Sequence, residues 1–327
     1  MFLEKFNTAA RILVVRPGAL GDTILALPAL QALAAGNSRA ALELIGYPSV
    51  LRLLEHARPS LPIRKIHSID RALFAPLFAG PISDELEEFL GSYDLLIAWI
   101  HDRSSDLLDK VERLPIACLR ADPYPADGSG MHASQHLLGT LAPLGRLPPL
   151  RLDEPLGPPR LQAPPPALLE SGEILRGLGL EERDFIAMHP GSGSARKNWP
   201  AEKFAALLRT AESAGRQVLV LEGESDGEAV RKLSQSVGGS LARVREPSLL
   251  TLAAILSRAC AFVGNDSGVS HLAAATGTPT LAIFGPTDPA IWAPRGPRAR
   301  VLGFETPVER VWVELDRLFR AKGSPHP

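Results

Sequence analysis

Glycine-containing segments that hold charged or hydroxyl side chains recur between an apolar run and a helical pattern, and three of them carry residue types suited to chemistry. The first is Gly18-Ala19-Leu20-Gly21-Asp22, preceded by Arg16-Pro17. A carboxylate at Asp22 can take a proton from a substrate hydroxyl as a general base. The plain alternative is an N-cap, because aspartate readily accepts from the amide hydrogens of a first helical turn. Gly18 and Gly21 permit positive φ or the close approach of another molecule. A dinucleotide loop fits poorly: G-x-x-G-D lacks the G-x-G-x-x-G spacing and sets an anion where pyrophosphate would lie.

The second segment, His189-Pro190-Gly191-Ser192-Gly193-Ser194-Ala195-Arg196-Lys197-Asn198-Trp199-Pro200, combines exposed backbone amides, hydroxyls and cations. That combination suits a diphosphate, although the glycine spacing is not that of a Walker loop. A solvated basic loop anchored by Trp199 is the bland reading. The third, Val263-Gly264-Asn265-Asp266-Ser267-Gly268-Val269-Ser270-His271, opens a helix of small residues. The amide hydrogens of Ser267, Gly268 and Val269 can there point at an anion. Capping accounts for Asp266 or Ser267 alone and leaves the two glycines and His271 without a reason.

Short apolar runs alternating with longer helical patterns position these loops, which is the signature of βαβ units around a parallel sheet. Strands are expected at 12–15, 42–45 and 95–100 with a helix over 23–35, and the run 95–100 leads into the polar loop His101-Asp102-Arg103-Ser104-Ser105. From Pro143 to Pro166 nine prolines mark a linker, since proline lacks the N–H that ladders and helix interiors require. Beyond it, strands are expected at 185–188, 217–221, 261–263 and 280–284. Helices are expected at 202–214, 227–237, 249–258, 269–276 and 308–321. The domain expectation is 1–160 and 161–306, with a last helix at 307–322. In doubly wound sheets ligands sit beyond the carboxyl ends of the strands, where all three loops fall.

The 327 residues suggest two domains, each large enough for its own core. With 35 Lys+Arg against 36 Asp+Glu the net charge is −1, which argues against a nucleic-acid binder, because duplex binding draws on many phosphate contacts. Cys118 and Cys260 are too few for a disulfide framework and read as core filler in a reducing compartment. The start MFLEKFNTAARILVV lacks the form of a secretory signal, and no apolar run reaches about 18 residues, so a cytoplasmic protein without a spanning helix is expected.

With these segments assembled, the chain resembles glycosyltransferase family 9, the ADP-heptose:lipopolysaccharide heptosyltransferases. The matching stretches are RILVVRPGALGDTILALPAL, MHPGSGSARKNWPAEKFAAL and FVGNDSGVSHLAAATGTPTLAIFGPTDP, in that order along most of the chain. The resemblance implies a GT-B fold of two facing Rossmann-like domains with an interdomain cleft. The acceptor would sit mainly on the first domain and the nucleotide sugar on the second, with the last helix returning to the first. It implies an inverting transfer in which Asp22 deprotonates the acceptor hydroxyl, and Arg16, Gly18 and Gly21 border the acceptor. Lys197 and Ser192 would hold the donor diphosphate; Asp266, Ser267, Gly268 and His271 its ribose and phosphates; and the backbone near Pro247 and Ser248 its adenine. The family's glycine-glycine-proline loop is replaced here by Leu221-Glu222-Gly223-Glu224-Ser225-Asp226, and Glu224 and Asp226 both fit the acidic residue that contacts the nucleoside.

Family likeness further implies a nucleotide-sugar donor, an acidic lipopolysaccharide-precursor acceptor and peripheral contact with the cytoplasmic face of the inner membrane; Arg52, Arg58, Arg64, Lys65 and Arg71 read either as an ordinary charged surface or as a basic rim for that acceptor. No cofactor and no required metal are expected, in keeping with the lack of an Asp-x-Asp pattern. The rival readings are a family 9 transferase for another sugar or a protein acceptor, a non-catalytic sugar-nucleotide binding module, and an NAD-dependent oxidoreductase.

Overall fold

The computed structural model describes residues 2–78, 80–101, 116–126, 128–145, 159–182 and 184–320. The chain divides into two compact units, Met1–Gly157 and Pro158–Pro327. Each is an α/β unit around a parallel sheet, the composition of a GT-B chain.

In the first unit, β1 (Arg11–Val15), β2 (Ala41–Gly46), β3 (Ile63–Ser68), β4 (Leu95–Trp99) and β5 (Ala117–Ala121) lie in the order β3-β2-β1-β4-β5. Every pairing is parallel. Strand β4 reads LLIAW and is buried at every position, as a strand covered on both faces must be. The helix Leu20–Gly36 follows β1 directly and buries ten of its residues, from Thr23 to Leu33. It starts earlier than expected, which moves Asp22 from the N-cap into the first turn.

The second unit orders β6 (Phe185–His189), β7 (Gln217–Glu222), β8 (Arg243–Arg245), β9 (Ala261–Asn265), β10 (Thr280–Phe284) and β11 (Ala299–Gly303) as β11-β10-β9-β6-β7-β8. Counted within the unit this is the doubly wound order 3-2-1-4-5-6, whose direction of winding reverses between β6 and β9. In the first unit the same reversal lies between β1 and β4.

Several elements depart from expectation. Strands β3, β8 and β11 are sheet edges whose charged residues break the apolar run, as in Ile63-Arg64-Lys65-Ile66 and Arg243-Val244-Arg245, so periodicity passes over them. A helix at Pro165–Gly177 begins inside the proline-rich stretch, because proline at the first helical position forfeits only an amide that has no partner anyway. Residues 146–158 of that stretch and 102–105 of the polar loop lie outside the described residues.

The last helix, Val308–Arg320, expected to return to the first domain, packs on the second unit. Val311, Leu315, Leu318 and Phe319 share a core with Phe204, Leu207, Leu208 and Ile283. The Arg216 guanidinium stands 4.9 Å from the centre of the Phe319 ring. The cause is its spacing: the four side chains form one apolar stripe on consecutive turns, and the short connection from β11 delivers that stripe to the helix Ala201–Ser213. Cys260 is buried and Cys118 half-buried, and both are unpaired. Burial pushes the Cys118 thiol up to about 12 and raises Cys260 as well.

Candidate active site

Between β6 and β9 the connections leave the second sheet in opposite directions, and the loops of the second and third segments meet there. Asn265 ends β9 fully buried, and its amide side chain holds the loop after β6 at both ends. Nδ2 donates to Pro190 O at 2.8 Å and Gly191 O at 3.2 Å, while Oδ1 accepts from the Trp199 amide at 2.8 Å. Ser192 is turned into this loop: its Oγ lies 2.6 Å from Ser194 O and 2.7 Å from Asn198 Oδ1.

Lys197 Nζ pairs with Asp266 Oδ2 at 2.8 Å, and the Thr287 hydroxyl donates to the same oxygen at 2.6 Å. Asp266 is buried and Lys197 one-third exposed, so the cation is held by an acid that is itself fixed. Ser267 is the N-cap of the helix Gly268–Ala275, yet its side chain makes no capping bond. The Gly268 and Val269 amide hydrogens open that turn with no residue four back inside the helix to accept them, whereas the Ser270 amide donates to Ser267 O at 3.1 Å. Buried His271 lies on the same turn, and Gly268 is its first residue.

Instead of capping, Ser267 Oγ lies 3.3 Å from Nδ1 of His189, the last residue of β6. The imidazole Nε2 lies 2.8 Å from Asp226 Oδ2, which also accepts from the Gly223 amide at 2.8 Å. Burial pushes the Asp226 carboxyl up, but the hydrogen bond and charge of His189 and the Gly223 amide outweigh it and hold it below the ordinary aspartate value. Gly191 is required by this contact, since a Cβ there would stand 1.9 Å from Asp226 Oδ1.

Beside His189 opens a cavity of about 400 Å³ lined by Gly223, Glu224, Glu246, Pro247 and Val269, among others. Of the two acids left open by the sequence, Glu224 is exposed and lines this cavity, whereas Asp226 is buried and committed to His189. Ser248 is the N-cap of the helix Leu249–Arg258, with Oγ accepting from the Thr251 amide at 3.1 Å. Glu246 has a φ of 46°, the left-handed region that a non-glycine residue rarely holds away from functional or turn positions.

In the first unit, Arg16 follows β1 and its amide donates to Ile45 O at 2.9 Å. Its side chain is buried, with Nη2 3.3 Å from Asp22 Oδ1. Asp22 Oδ2 accepts from the Ala19 amide at 3.1 Å. Gly18 keeps the turn close, because a Cβ there would stand 2.7 Å from Asp22 Cβ and 3.1 Å from Arg16 Cζ; Gly21 lies inside the first helical turn. Arg52, Arg58, Arg64, Lys65 and Arg71 are exposed. Next to β1 in the sheet, His101 after β4 binds Asp122 after β5, Nδ1 to Oδ2 at 2.8 Å, and the Arg16 guanidinium stands 5.7 Å from the Tyr124 ring centre.

Sequence reading passed over His189 and Glu246 as site residues. The signal for His189 was a histidine ending the apolar run Phe185-Ile186-Ala187-Met188 at a strand's carboxyl end; Glu246 had none. Among the described residues, no group of three or more His, Cys, Asp or Glu is placed to hold a metal ion. Among them, too, no helix is long and apolar enough to cross a membrane.

Comparison with known proteins bears on the second unit most directly. Residues 159–317 match the family model described as glycosyltransferase family 9 (heptosyltransferase). Lipopolysaccharide heptosyltransferase 2 of Salmonella typhimurium is 33% identical over 137 residues, 40% of this chain. That match spans 39% of the relative's own length. Among solved structures, a family 9 glycosyl transferase from Veillonella parvula superposes with a TM-score of 0.80 at 20% identity, covering 98% of this chain and 99% of the other. The ADP-heptose lipopolysaccharide heptosyltransferase II of E. coli does so with a TM-score of 0.73 at 20% identity, covering 96% of this chain and 100% of that one. These two show the same fold over nearly the whole length, and residues 159–317, most of the second unit, are what resembles glycosyltransferase family 9.

Proposed function

We propose that this chain is an inverting glycosyltransferase that moves a heptose from ADP-heptose to an acidic inner-core lipopolysaccharide precursor. The observation that carries the reading is the pairing of Lys197 with Asp266 beside the uncapped first turn of the helix Gly268–Ala275, at the carboxyl ends of β6 and β9. A cation and a row of amide hydrogens are what a diphosphate requires, and helix amino termini favour anions through their dipole as well. The family 9 match over residues 159–317 and the activity named for the Salmonella and E. coli relatives support the choice of sugar and acceptor.

In this reading the donor diphosphate takes Lys197 and the amides of Gly268 and Val269, with Ser192, Ser267 and His271 bordering it. Asp266 holds Lys197 in place. The nucleoside enters the cavity beside Pro247, where Glu224 meets the ribose; Ser248 contributes backbone, since its hydroxyl caps a helix. Asp226 supports the site through His189 and does not touch the nucleoside. As the acceptor oxygen attacks the anomeric carbon, the bond to the diphosphate breaks and its electron pair leaves on ADP. Asp22 takes the acceptor's proton, a step general bases typically accelerate about 100-fold to 10,000-fold. Preorganised donors on the leaving group supply several kcal/mol more, on the order of 3 kcal/mol for each important one. Arg16, now on Asp22, is positioned to share itself between that carboxylate and an anionic acceptor with Gly18 and Gly21 at its side. The exposed basic side chains of the first unit attract the same acceptor, and the enzyme works at the cytoplasmic face of the inner membrane.

The test is transfer itself. The protein is incubated with ADP-heptose and heptose-deficient lipopolysaccharide, with ADP release and the anomeric configuration of the product followed, and with UDP- and GDP-sugars in parallel. Release of ADP dependent on the acceptor, with inversion, is expected. Selective use of a UDP-sugar, or transfer only to a protein, would overturn the donor or the acceptor assignment respectively.

A further inference from the structure

His189 is joined to Asp226 on one side and to Ser267 on the other, in a chain of three polar groups that ends at the first turn of the helix Gly268–Ala275. We propose that this chain is a proton-linked positioning relay, in which Asp226 orients His189 and His189 sets whether the Ser267 hydroxyl faces inward or toward a bound phosphate. The inference rests on the donor site assigned above and deepens it.

With Nε2–H directed at Asp226 Oδ2, the other ring nitrogen, Nδ1, either accepts or donates at Ser267 Oγ. When Nδ1 accepts, the single hydroxyl hydrogen of Ser267 is spent inside the protein, and the serine shows a phosphate only lone pairs. When Nδ1 carries a proton and donates, the hydroxyl hydrogen is released to point outward, alongside the amides of Gly268 and Val269. Binding of an anion at this turn therefore favours the doubly protonated ring: one proton enters from solvent as the diphosphate binds and returns to solvent as it leaves.

The surroundings fit that exchange. Asp226 is buried and its carboxyl is held below the ordinary value, so it stays anionic and balances an imidazolium. His189 also lines the nucleoside cavity, where Glu222, Glu224 and Glu246 are the other ionisable groups; Glu222 is paired with Arg243 and Arg245. On the helix side the neighbouring ionisable groups are the Lys197–Asp266 pair and His271, buried on the same turn. Gly191, whose Cβ would displace Asp226, keeps the relay aligned.

The experiment uses full-length protein and ADP-ribose, a nucleoside diphosphate sugar whose diphosphate has no ionisation near neutral pH. Binding is measured by calorimetry at several pH values in buffers of different ionisation enthalpy, which reads the protons taken up. Wild-type protein should take up a fraction of a proton as the ligand binds, and its affinity should fall as pH rises. His189→Gln should abolish the uptake and flatten the pH profile, with affinity lowered about tenfold at acid pH. Ser267→Ala keeps the imidazole and tests the same link from the exposed end, so loss of uptake there cannot be ascribed to a core defect; Ser267→Thr should restore it. Tight binding with no proton uptake, or uptake unchanged in Ser267→Ala, overturns the relay and spares the donor site. Failure of both ADP-ribose and ADP to bind overturns the donor site and the relay together.

Discussion

Each unit buries a carboxylate against an imidazole, and the two pairs differ in what surrounds them. In the first unit Glu43 Oε2 lies 2.9 Å from His67 Nε2, the Tyr93 hydroxyl donates to the same oxygen at 2.7 Å, and Arg11 Nη2 donates to Oε1 at 3.1 Å. The Arg11 guanidinium also stacks over the Tyr93 ring, 4.4 Å from its centre. Glu43 is inside β2 and Arg11 opens β1, away from the carboxyl ends of the sheet. In the second unit Asp226 and His189 form a pair of nearly the same length, 2.8 Å, but at a strand's carboxyl end, with the imidazole passing on to Ser267 and a cavity beside it. The same chemical pair is a closed knot in one place and an open link in the other. What packs against the imidazole, the Phe74 and Phe89 rings at His67 but a cavity at His189, separates a group that holds the sheet from a group that can meet a ligand.

Removing the knot should have the largest effect. Glu43→Gln leaves buried His67 and partly exposed Arg11 facing a neutral amide, so about 1–3 kcal/mol of stability should be lost, read as a lower denaturation midpoint, while nucleotide affinity of the folded protein stays unchanged. A loss of affinity would show that this pair is no mere knot. The pH dependence sharpens the point. Burial pushes the Glu43 carboxyl up, and the hydrogen bonds from His67, Tyr93 and Arg11 outweigh it, so its folded value lies below the ordinary 4.5. Its stabilisation is therefore complete above that value and drains away as pH falls through the folded one. Wild-type melting temperature should drop more steeply below about pH 4.5 than that of Glu43→Gln.

Next in size is Asp22→Asn in the first unit. Transfer should fall at least about 100-fold with ADP affinity nearly intact, because a base is lost and no donor contact is touched. Near-full turnover would remove Asp22 from that role. Lys197→Ala comes third: ADP affinity and turnover should both fall, by about tenfold in affinity, the loss of one charge-assisted hydrogen bond. It also leaves buried Asp266 with the Thr287 hydroxyl, so thermal stability should drop slightly. The smallest effect is expected from Glu224→Gln, a few-fold loss of affinity for the nucleoside with stability unchanged, since its side chain is exposed on the cavity wall.

The central strands were legible because both of their faces are buried, which leaves unbroken apolar runs such as Phe185-Ile186-Ala187-Met188. Edge strands carry solvent-facing charge and were passed over, and the apolar stripe of the last helix said that it packs without saying on what. The candidate loops were legible for a related reason: glycines, hydroxyls and cations directly after strands have few structural uses at once. Their internal pairing was not. Whether Asp226 meets a nucleoside or a histidine depends on where two loops 37 residues apart converge, and no local pattern records that. Asp22 was misplaced by one turn of backbone, since Ala19 rather than aspartate occupies the N-cap and the carboxylate reaches back to its amide.

The Asn265 side chain grips Pro190, Gly191 and Trp199 from the floor of the second sheet. It thereby makes the stretch between them a hoop with both feet nailed down. Insertions can be absorbed only at the crown, around Gly193 to Arg196, where the side chains are exposed. A deletion next to either foot would have to wrench the amide out of place and would carry Lys197 away with it. Variation in hoop length among descendants of this sequence should therefore collect at the crown, and leave the feet and the asparagine beneath them alone.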